Sequence, residues 1–177
     1  DPDSQILLND GTGKFTPLAG AIPPKGAPTW VGLDIIALPL DGDNYPDLVI
    51  TYTDEYEGFF LQALVNNQDG TFADETAERM LDAENAFGGY IYRLDLVDFD
   101  HDGDSDIVGR YWSGNQNEPF IFMNDGHGHF EKEIADIELD WLYYTIADLD
   151  NNGGHDFILS SFGVSTDIFL IRETGCD

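Results

Sequence analysis

The sequence predicts an all-β protein built from β-propeller blades, each a four-stranded antiparallel sheet. Two elements recur along the 177 residues, and they alternate. One is a turn rich in Asn and Gly, marked by Asn9, Asn66 and Asn124. The other is an acidic loop of the form D-x-D-x-D-G-x-x-D. Short runs of Ile, Val, Tyr and Phe flank both elements, and four short strands in each repeat are the pattern of a propeller blade.

The Asn/Gly turns predict hairpins. Each copy is an apolar run that ends in Asn, passes through Asp, Asn and Gly, and re-enters an extended segment with Phe; the three copies begin at Ile6, Ala63 and Ile121. Asn and Gly accept the positive φ that tight hairpin turns require. Each copy is therefore interpreted as strand, turn and strand.

The acidic loops lie between these hairpins. Two copies carry the pattern, at residues 98–106 and 148–156, the second with Asn152 in place of the third Asp, and a weaker copy spans residues 39–47. Each loop follows one apolar strand and leads directly into another. The repeat is thus strand, acidic loop, strand, connection, strand, Asn/Gly turn and strand. A segment at residues 75–85 favours a short helix between two blades.

The chain is predicted to be one segment of about three to three and a half blades. Its parts are a partial blade at 1–20, blades at 29–74 and 86–133, and an incomplete blade at 139–172. Because propellers usually close with about 4 to 8 blades, two arrangements stay open. The favoured one is that the chain is a portion of a longer propeller. The other is that copies associate and complete each other's blades.

The spacing in the acidic loops predicts calcium sites. Ca²⁺ binds six to eight oxygen atoms at about 2.3–2.6 Å, and alternate side chains of a tight loop can surround one point. The first full loop offers the side chains of Asp98, Asp100, Asp102 and Asp106 and the carbonyl of Asp104. The second offers Asp148, Asp150, Asn152, Asp156 and the carbonyl of Gly154. The alternative, that Asp and Gly only form turns, is disfavoured because two loops match at the same place in the repeat.

The weaker loop predicts a third site that binds calcium poorly or not at all. Pro39 replaces the first carboxylate, and Asn44 stands where the pattern has Gly, although Asn can adopt the left-handed conformation. The remaining donors are Asp41, Asp43, Asp47 and the carbonyl of Tyr45. Mg²⁺ and Zn²⁺ fit all three loops less well, since Mg²⁺ retains several waters and Zn²⁺ prefers His and Cys.

The loops and the Asn-Asp-Gly-x-Gly-x-Phe turns resemble FG-GAP/VCBS repeats, which are the blades of integrin-α-like calcium-binding propellers. Six motif copies carry the resemblance, and they cover nearly the whole chain. The resemblance implies Ca²⁺ in each intact loop and an extracellular module, secreted or at the cell surface, for adhesion or recognition. Pro39 and Asn44 depart from the family pattern, as does Ile171, which stands where the last hairpin should have Asn.

Charge and motifs exclude several functions. Thirty-five Asp and Glu against seven Lys and Arg give a net charge of −28, which repels nucleic acids and anionic membrane surfaces. No run approaches the roughly 20 apolar residues of a membrane span. Neither a Ser/His/Asp nor a Cys/His arrangement is identifiable, and there is no phosphate-binding or dinucleotide-binding motif. A non-enzymatic role is therefore expected.

A protein or glycan ligand is expected on the face opposite the acidic loops. Because successive strands alternate in direction, the connections from second to third strand and from blade to blade lie on that face. The candidate ligand-binding residues are Tyr56, Trp112, Asn115, Gln116, Asn117 and Phe162. Trp112 has an alternative role, in which it ends a strand and packs between blades. Two other functions stay open: a polysaccharide-active enzyme or its carbohydrate-binding accessory domain, and a structural subunit that assembles by completing blades between copies.

Overall fold

The computed structural model describes residues 5–24, 26–86, 88–114, 117–134, 142–151 and 155–161. These residues form thirteen strands and one four-residue helix, and every pair of strands is antiparallel. The all-β fold predicted from the sequence is confirmed. The strands form separate sheets rather than a closed barrel. The one helix among the described residues is far too short to cross a membrane.

The strands form four sheets in chain order. The first contains β1 (Ile6–Asn9) and β2 (Phe15–Leu18). The second contains β3 (Trp30–Leu38), β4 (Asp47–Asp54), β5 (Glu57–Asn66) and β6 (Phe72–Asp74), followed by α1 (Thr76–Arg79) and β7 (Glu84–Asn85), which also pairs with β5. The third contains β8 (Tyr90–Val97), β9 (Asp106–Trp112), β10 (Asn117–Asn124) and β11 (Phe130–Ile134). The fourth contains β12 (Leu142–Ala147) and β13 (Asp156–Ser161).

The second and third sheets follow the same path, from first to fourth strand in neighbouring order. In the second sheet, the middle strands β4 and β5 are buried on both faces, so they are mostly apolar instead of alternating. The first strands of the two sheets share an irregularity: the register shifts between Gly32 and Asp34 in β3 and between Ile91 and Arg93 in β8. The two sheets are therefore copies of one structural unit. Its boundaries as a blade remain the prediction made from the sequence.

One hydrophobic core joins these two sheets. Phe59 and Leu61 of β5 are fully buried, and they share a cluster with Ile91 of β8 and Phe122 of β10. A polar contact crosses the same interface, because Thr51 Oγ1 donates a hydrogen bond to the Ile91 carbonyl (2.9 Å). Burial of large apolar side chains from both sheets stabilises their packing. The orientation of one acidic loop is thereby tied to that of the next.

A second cluster joins the third sheet to β12 and β13. Val108 and Phe157 are fully buried there. The Arg110 guanidinium lies 3.7 Å from the centre of the Tyr144 ring and pairs with Asp95 Oδ2 (3.3 Å). Arg110 is buried, and a buried cation requires such partners. The apolar contacts and this ion pair together hold β12 and β13 against the third sheet.

The segment at residues 75–85 differs from the helix predicted there. Only Thr76–Arg79 is helical, and Glu84–Asn85 is a strand that pairs with Phe59 and Phe60. The helix ends because Met80 forms an isolated bridge with Phe130, and Asp82 then takes a positive φ of 59°. Tertiary contacts override the helical propensity of this segment.

Candidate metal centre

The loop at 98–106 brings three carboxylates to one point. Single oxygen atoms of Asp98, Asp100 and Asp106 all lie within 4.8 Å of one another. Asp106 is buried at the start of β9, Asp98 is half-buried and Asp100 is exposed. The group thus has one side open to solvent. Three anionic oxygens at this separation suit a hard cation, which prefers oxygen ligands.

The backbone of this loop is folded by its own side chains. Asp100 Oδ1 accepts a hydrogen bond from the Asp102 N–H (3.2 Å), and Asp102 Oδ1 accepts one from the Asp104 N–H (2.9 Å). His101 and Gly103 have positive φ values of 64° and 98°, which turn the chain sharply. The side chain of Asp102, a predicted ligand, is not a member of the group of three, and Asp104 was predicted to contribute its carbonyl instead of its side chain. Their role at the ion stays a prediction.

Asp98 carries the clearest sign of a missing partner. Its Oδ1 is buried and accepts no hydrogen bond from any residue that the structure describes. A buried carboxylate oxygen without a donor is costly, by about 1–3 kcal/mol or more for a charged group. A cation among the three carboxylates would supply the missing interaction. The residues of this loop therefore fit a bound Ca²⁺.

Asp106 has a second role, because both of its oxygens hold backbone groups. Oδ2 accepts the Phe99 N–H (2.7 Å), and Oδ1 accepts the Asn124 N–H (2.8 Å) from the end of β10. Burial raises the pKa of Asp106, these two hydrogen bonds lower it, and the charges of Asp100 and Asp102 raise it; the net shift is upward. The fold thus holds a carboxylate in surroundings that disfavour its charge. A neighbouring cation would stabilise the charged form of this carboxylate.

The other acidic loops repeat these hydrogen bonds, in which the aspartate that begins the following strand accepts backbone N–H groups and so braces the loop. Asp47, fully buried, accepts the N–H groups of Leu40 (2.6 Å) and Asn66 (2.7 Å). Asp156, also buried, accepts the Leu149 N–H (2.9 Å). Sequence reasoning assigned these aspartates only as metal ligands and missed that they fasten the loop. The sequence did contain a signal for this contact, because each of these aspartates is the first residue of the strand that follows its acidic loop.

The loop at 148–156 contains a second group of three carboxylates. Oxygens of Asp148, Asp150 and Asp156 lie within 4.8 Å of one another. Asn152 and Gly154, also predicted to contribute oxygen atoms, lie outside the described residues. This loop adjoins the previous one. His155 Nδ1 is hydrogen-bonded to the Asp98 carbonyl (3.0 Å), and the rings of His101 and His155 are stacked with their centroids 6.2 Å apart.

The loop at 39–47 is arranged differently. Of the acidic side chains that the structure describes, only the two groups above converge in threes. Asp41 Oδ1 accepts the Asp43 N–H (3.0 Å), and Asp43 Oδ1 accepts the Tyr45 N–H (2.6 Å). The other oxygen of Asp43 accepts a hydrogen bond from the Gln68 side-chain amide (2.8 Å). With Pro39 in the first position, this loop does not present a cluster that fits a cation.

The turn residue of this loop also differs from the expectation. Asn44 was expected to take the left-handed conformation in place of Gly, but the positive φ lies at Gly42 (77°) and not at Asn44. In the loop at 98–106, the matching positions are His101 and Gly103, and both have positive φ. One left-handed residue is thus lost from the loop at 39–47, and its path differs from that of the intact loop.

Three of the six predicted ligand-binding residues lie among the described residues. Tyr56 lies in the turn between β4 and β5, is 62% exposed, and meets the ring of Tyr90 edge-on at 5.7 Å. Its φ of 66° and that of Glu55 (52°) are unusual for residues other than Gly. Trp112 is half-buried at the end of β9. Asn117 begins β10, whereas Asn115, Gln116 and Phe162 lie outside the described residues.

Comparison with known families agrees with the fold and with part of the repeat. Residues 40–109 match the family model described as "FG-GAP-like repeat". The match begins within the loop at 39–47, covers β4 to β8 and the loop at 98–106, and ends within β9, so that β3 of the second sheet precedes it. Over this part of the chain the predicted resemblance is confirmed, and the antiparallel sheets are those of propeller-blade repeats. Neither the curated proteins nor the solved structures contained a match.

Proposed function

We propose that this chain is a calcium-binding, non-enzymatic β-propeller module that mediates adhesion, recognition or assembly outside the cell. The observation that carries the proposal is the buried Asp98 Oδ1, which has no donor among the described residues and lies in a group of three carboxylates. A second group of three at the same place in the fourth sheet supports it.

The side chains of Asp98, Asp100 and Asp106 would hold one ion, and those of Asp148, Asp150 and Asp156 a second. When bound, Ca²⁺ supplies positive charge and an oxygen-coordination shell. The chain's own contribution is positional: Asp106 fastens its loop to β10 through the Asn124 N–H, and His155 links the two loops. Two ions would thereby stabilise neighbouring sheets against each other.

Calcium should raise stability by mass action. An ion that binds the folded chain and not the unfolded one adds RT ln(1 + [Ca²⁺]/Kd), or about 2.7 kcal/mol at a hundredfold excess over Kd. The net charge of −28 increases the benefit, because the folded chain concentrates carboxylates that repel one another. Such a module suits a calcium-rich extracellular setting.

Calorimetric titration with calcium, followed by thermal unfolding in calcium and in EGTA, tests this proposal. We expect two ions per chain and a higher melting temperature in calcium. Asp98→Asn should lose one of the two ions, whereas Glu131→Gln, a change at an exposed position of β11, should lose neither. No heat of binding, together with equal melting temperatures in the two buffers, would contradict calcium binding.

The face opposite the acidic loops is proposed to bind a glycan or peptide. Tyr56 supports this, because its exposed ring offers an aromatic surface at the tip of a tight turn. A panel of glycans and peptides should identify a ligand that wild type binds and Tyr56→Ala does not. Conversion of any glycan into product would contradict the non-enzymatic assignment.

A further inference from the structure

The second and third sheets use the same scaffold to hold an acidic loop against an Asn/Gly turn. In the second, Asn66 Oδ1 accepts the Gln68 N–H (2.9 Å), and in the third, Asn124 Oδ1 accepts the Gly126 N–H (3.1 Å). Gln68 and Gly126 also share the left-handed conformation, with φ values of 63° and 78°. The two residues therefore occupy equivalent positions, and what differs is the side chain.

The acidic loops can be matched in the same way. Asp43 Oδ1 accepts the N–H two residues ahead, from Tyr45, just as Asp102 Oδ1 accepts that of Asp104. Asp43 and Asp102 are thus equivalent. Counting back from the bracing aspartates Asp47 and Asp106, Pro39 is equivalent to Asp98.

Two differences between the loops both disfavour a cation in the loop at 39–47. Where the third sheet has the Asp98 carboxylate, the second has Pro39, so one negative charge is missing. Where the third sheet has Gly126, the second has Gln68, whose amide donates to Asp43 Oδ2 (2.8 Å). The neutral Gln68 amide thus supplies this carboxylate with a hydrogen-bond donor from the protein itself.

We infer that Gln68, together with Pro39, determines that the loop at 39–47 takes no calcium and is held by a protein donor instead. This inference rests on the proposed function, because it distinguishes this loop from those that bind an ion. The Gln68 amide occupies one oxygen of Asp43, and Pro39 offers no carboxylate. A further contact supports an ion-independent loop: Arg79 Nη1 donates to the Leu40 carbonyl (2.6 Å). The second sheet therefore keeps its acidic loop in place whether or not calcium is present.

Single substitutions in the two loops test the inference by calorimetric titration with calcium chloride. Wild type should bind two ions per chain, and Asp100→Asn, which changes a member of the group of three carboxylates, should bind one. Asp43→Asn should still bind two. Asp43→Asn should also lower the melting temperature by the same amount in calcium and in EGTA, since the contact it weakens is with Gln68. Loss of one ion on Asp43→Asn would overturn the inference.

A gain-of-site variant completes the test. The double substitution Pro39→Asp with Gln68→Gly restores both features of the loop at 98–106, and Gly accepts the positive φ at position 68. We expect this variant to bind one ion more than wild type, with circular dichroism showing that it is folded. An unchanged count in the folded variant would overturn the assignment of Gln68 and Pro39. Three ions in wild type would overturn the inference alone, whereas none would overturn the proposed function as well.

Discussion

Replacing Asp47 with alanine should destabilise the chain strongly, although the residue lies in a loop that we infer to be free of calcium. The Asp47 side chain is fully buried, and its two oxygens accept the N–H groups of Leu40 (2.6 Å) and Asn66 (2.7 Å). These contacts join the acidic loop to the third strand of the sheet. Alanine would leave both N–H groups without their acceptor.

The size of the loss follows from these two contacts. A hydrogen bond to a charged group contributes a net of about 1.5–3 kcal/mol, so removal of two should cost about 3–6 kcal/mol. That is a large part of the roughly 5–15 kcal/mol by which a domain is stable. Asp47→Asn keeps one acceptor oxygen, so it should lose about half as much free energy of unfolding.

Urea denaturation monitored by circular dichroism measures this loss, once in calcium and once in EGTA. Because the contacts are with protein groups, the two buffers should give the same loss. Glu131→Ala, at an exposed position on β11, is the control and should change stability by no more than about 0.5 kcal/mol. A loss below about 1 kcal/mol for Asp47→Ala would refute the bracing role of this carboxylate.

Two further predictions concern the Asn/Gly turns. Gly128→Ala should prevent or strongly impair folding, since a Cβ there would lie 1.8 Å from the Leu40 carbonyl oxygen. The control is Gly42→Ala in the acidic loop at 39–47, which has a similar φ but open space around it. This change should lower the free energy of unfolding by only about 1–2 kcal/mol, measured by thermal unfolding. Thr71→Val should raise the pKa of Asp69 towards its ordinary value in an NMR titration, because the Thr71 hydroxyl bond is the main cause of the lowered pKa.

The sign of the pH effect at Asp69 follows from that lowered pKa. The folded chain favours the ionised carboxylate, so its stabilising contribution is present above the ordinary pKa and is lost as the pH falls through the lowered one. Thr71→Val should therefore reduce the loss of stability on acidification. An unchanged pKa of Asp69 in the variant would show that the hydroxyl bond is not its cause.

Much of the fold could be predicted because local signals and long-range packing agree. Asn9 and Asn124 each accept two N–H groups of their own turn, so the Asn/Gly pattern alone specifies these hairpins. The acidic loops are similarly local, since Asp100 and Asp102 fold the backbone directly around them. Composition and spacing are sufficient to predict the local structure where a residue's hydrogen-bond partners lie within a few positions of it.

The features that could not be predicted depend on partners far away in the chain. Gln68 reaches Asp43 across 25 positions, and nothing in the spacing of either motif indicates that contact. The helix after β6 stops at Arg79, a residue that donates to the Leu40 carbonyl 39 positions away. The shared core around Phe59 is likewise visible only once the sheets are packed.

The central claim is that the carboxylates of the loop at 98–106 surround a calcium ion. A crystal structure at millimolar calcium, with anomalous scattering used to identify the metal, tests it most directly. The account predicts an anomalous peak about 2.3–2.6 Å from the carboxylate oxygens of Asp98, Asp100 and Asp106. Electron density for water alone at that position would contradict it.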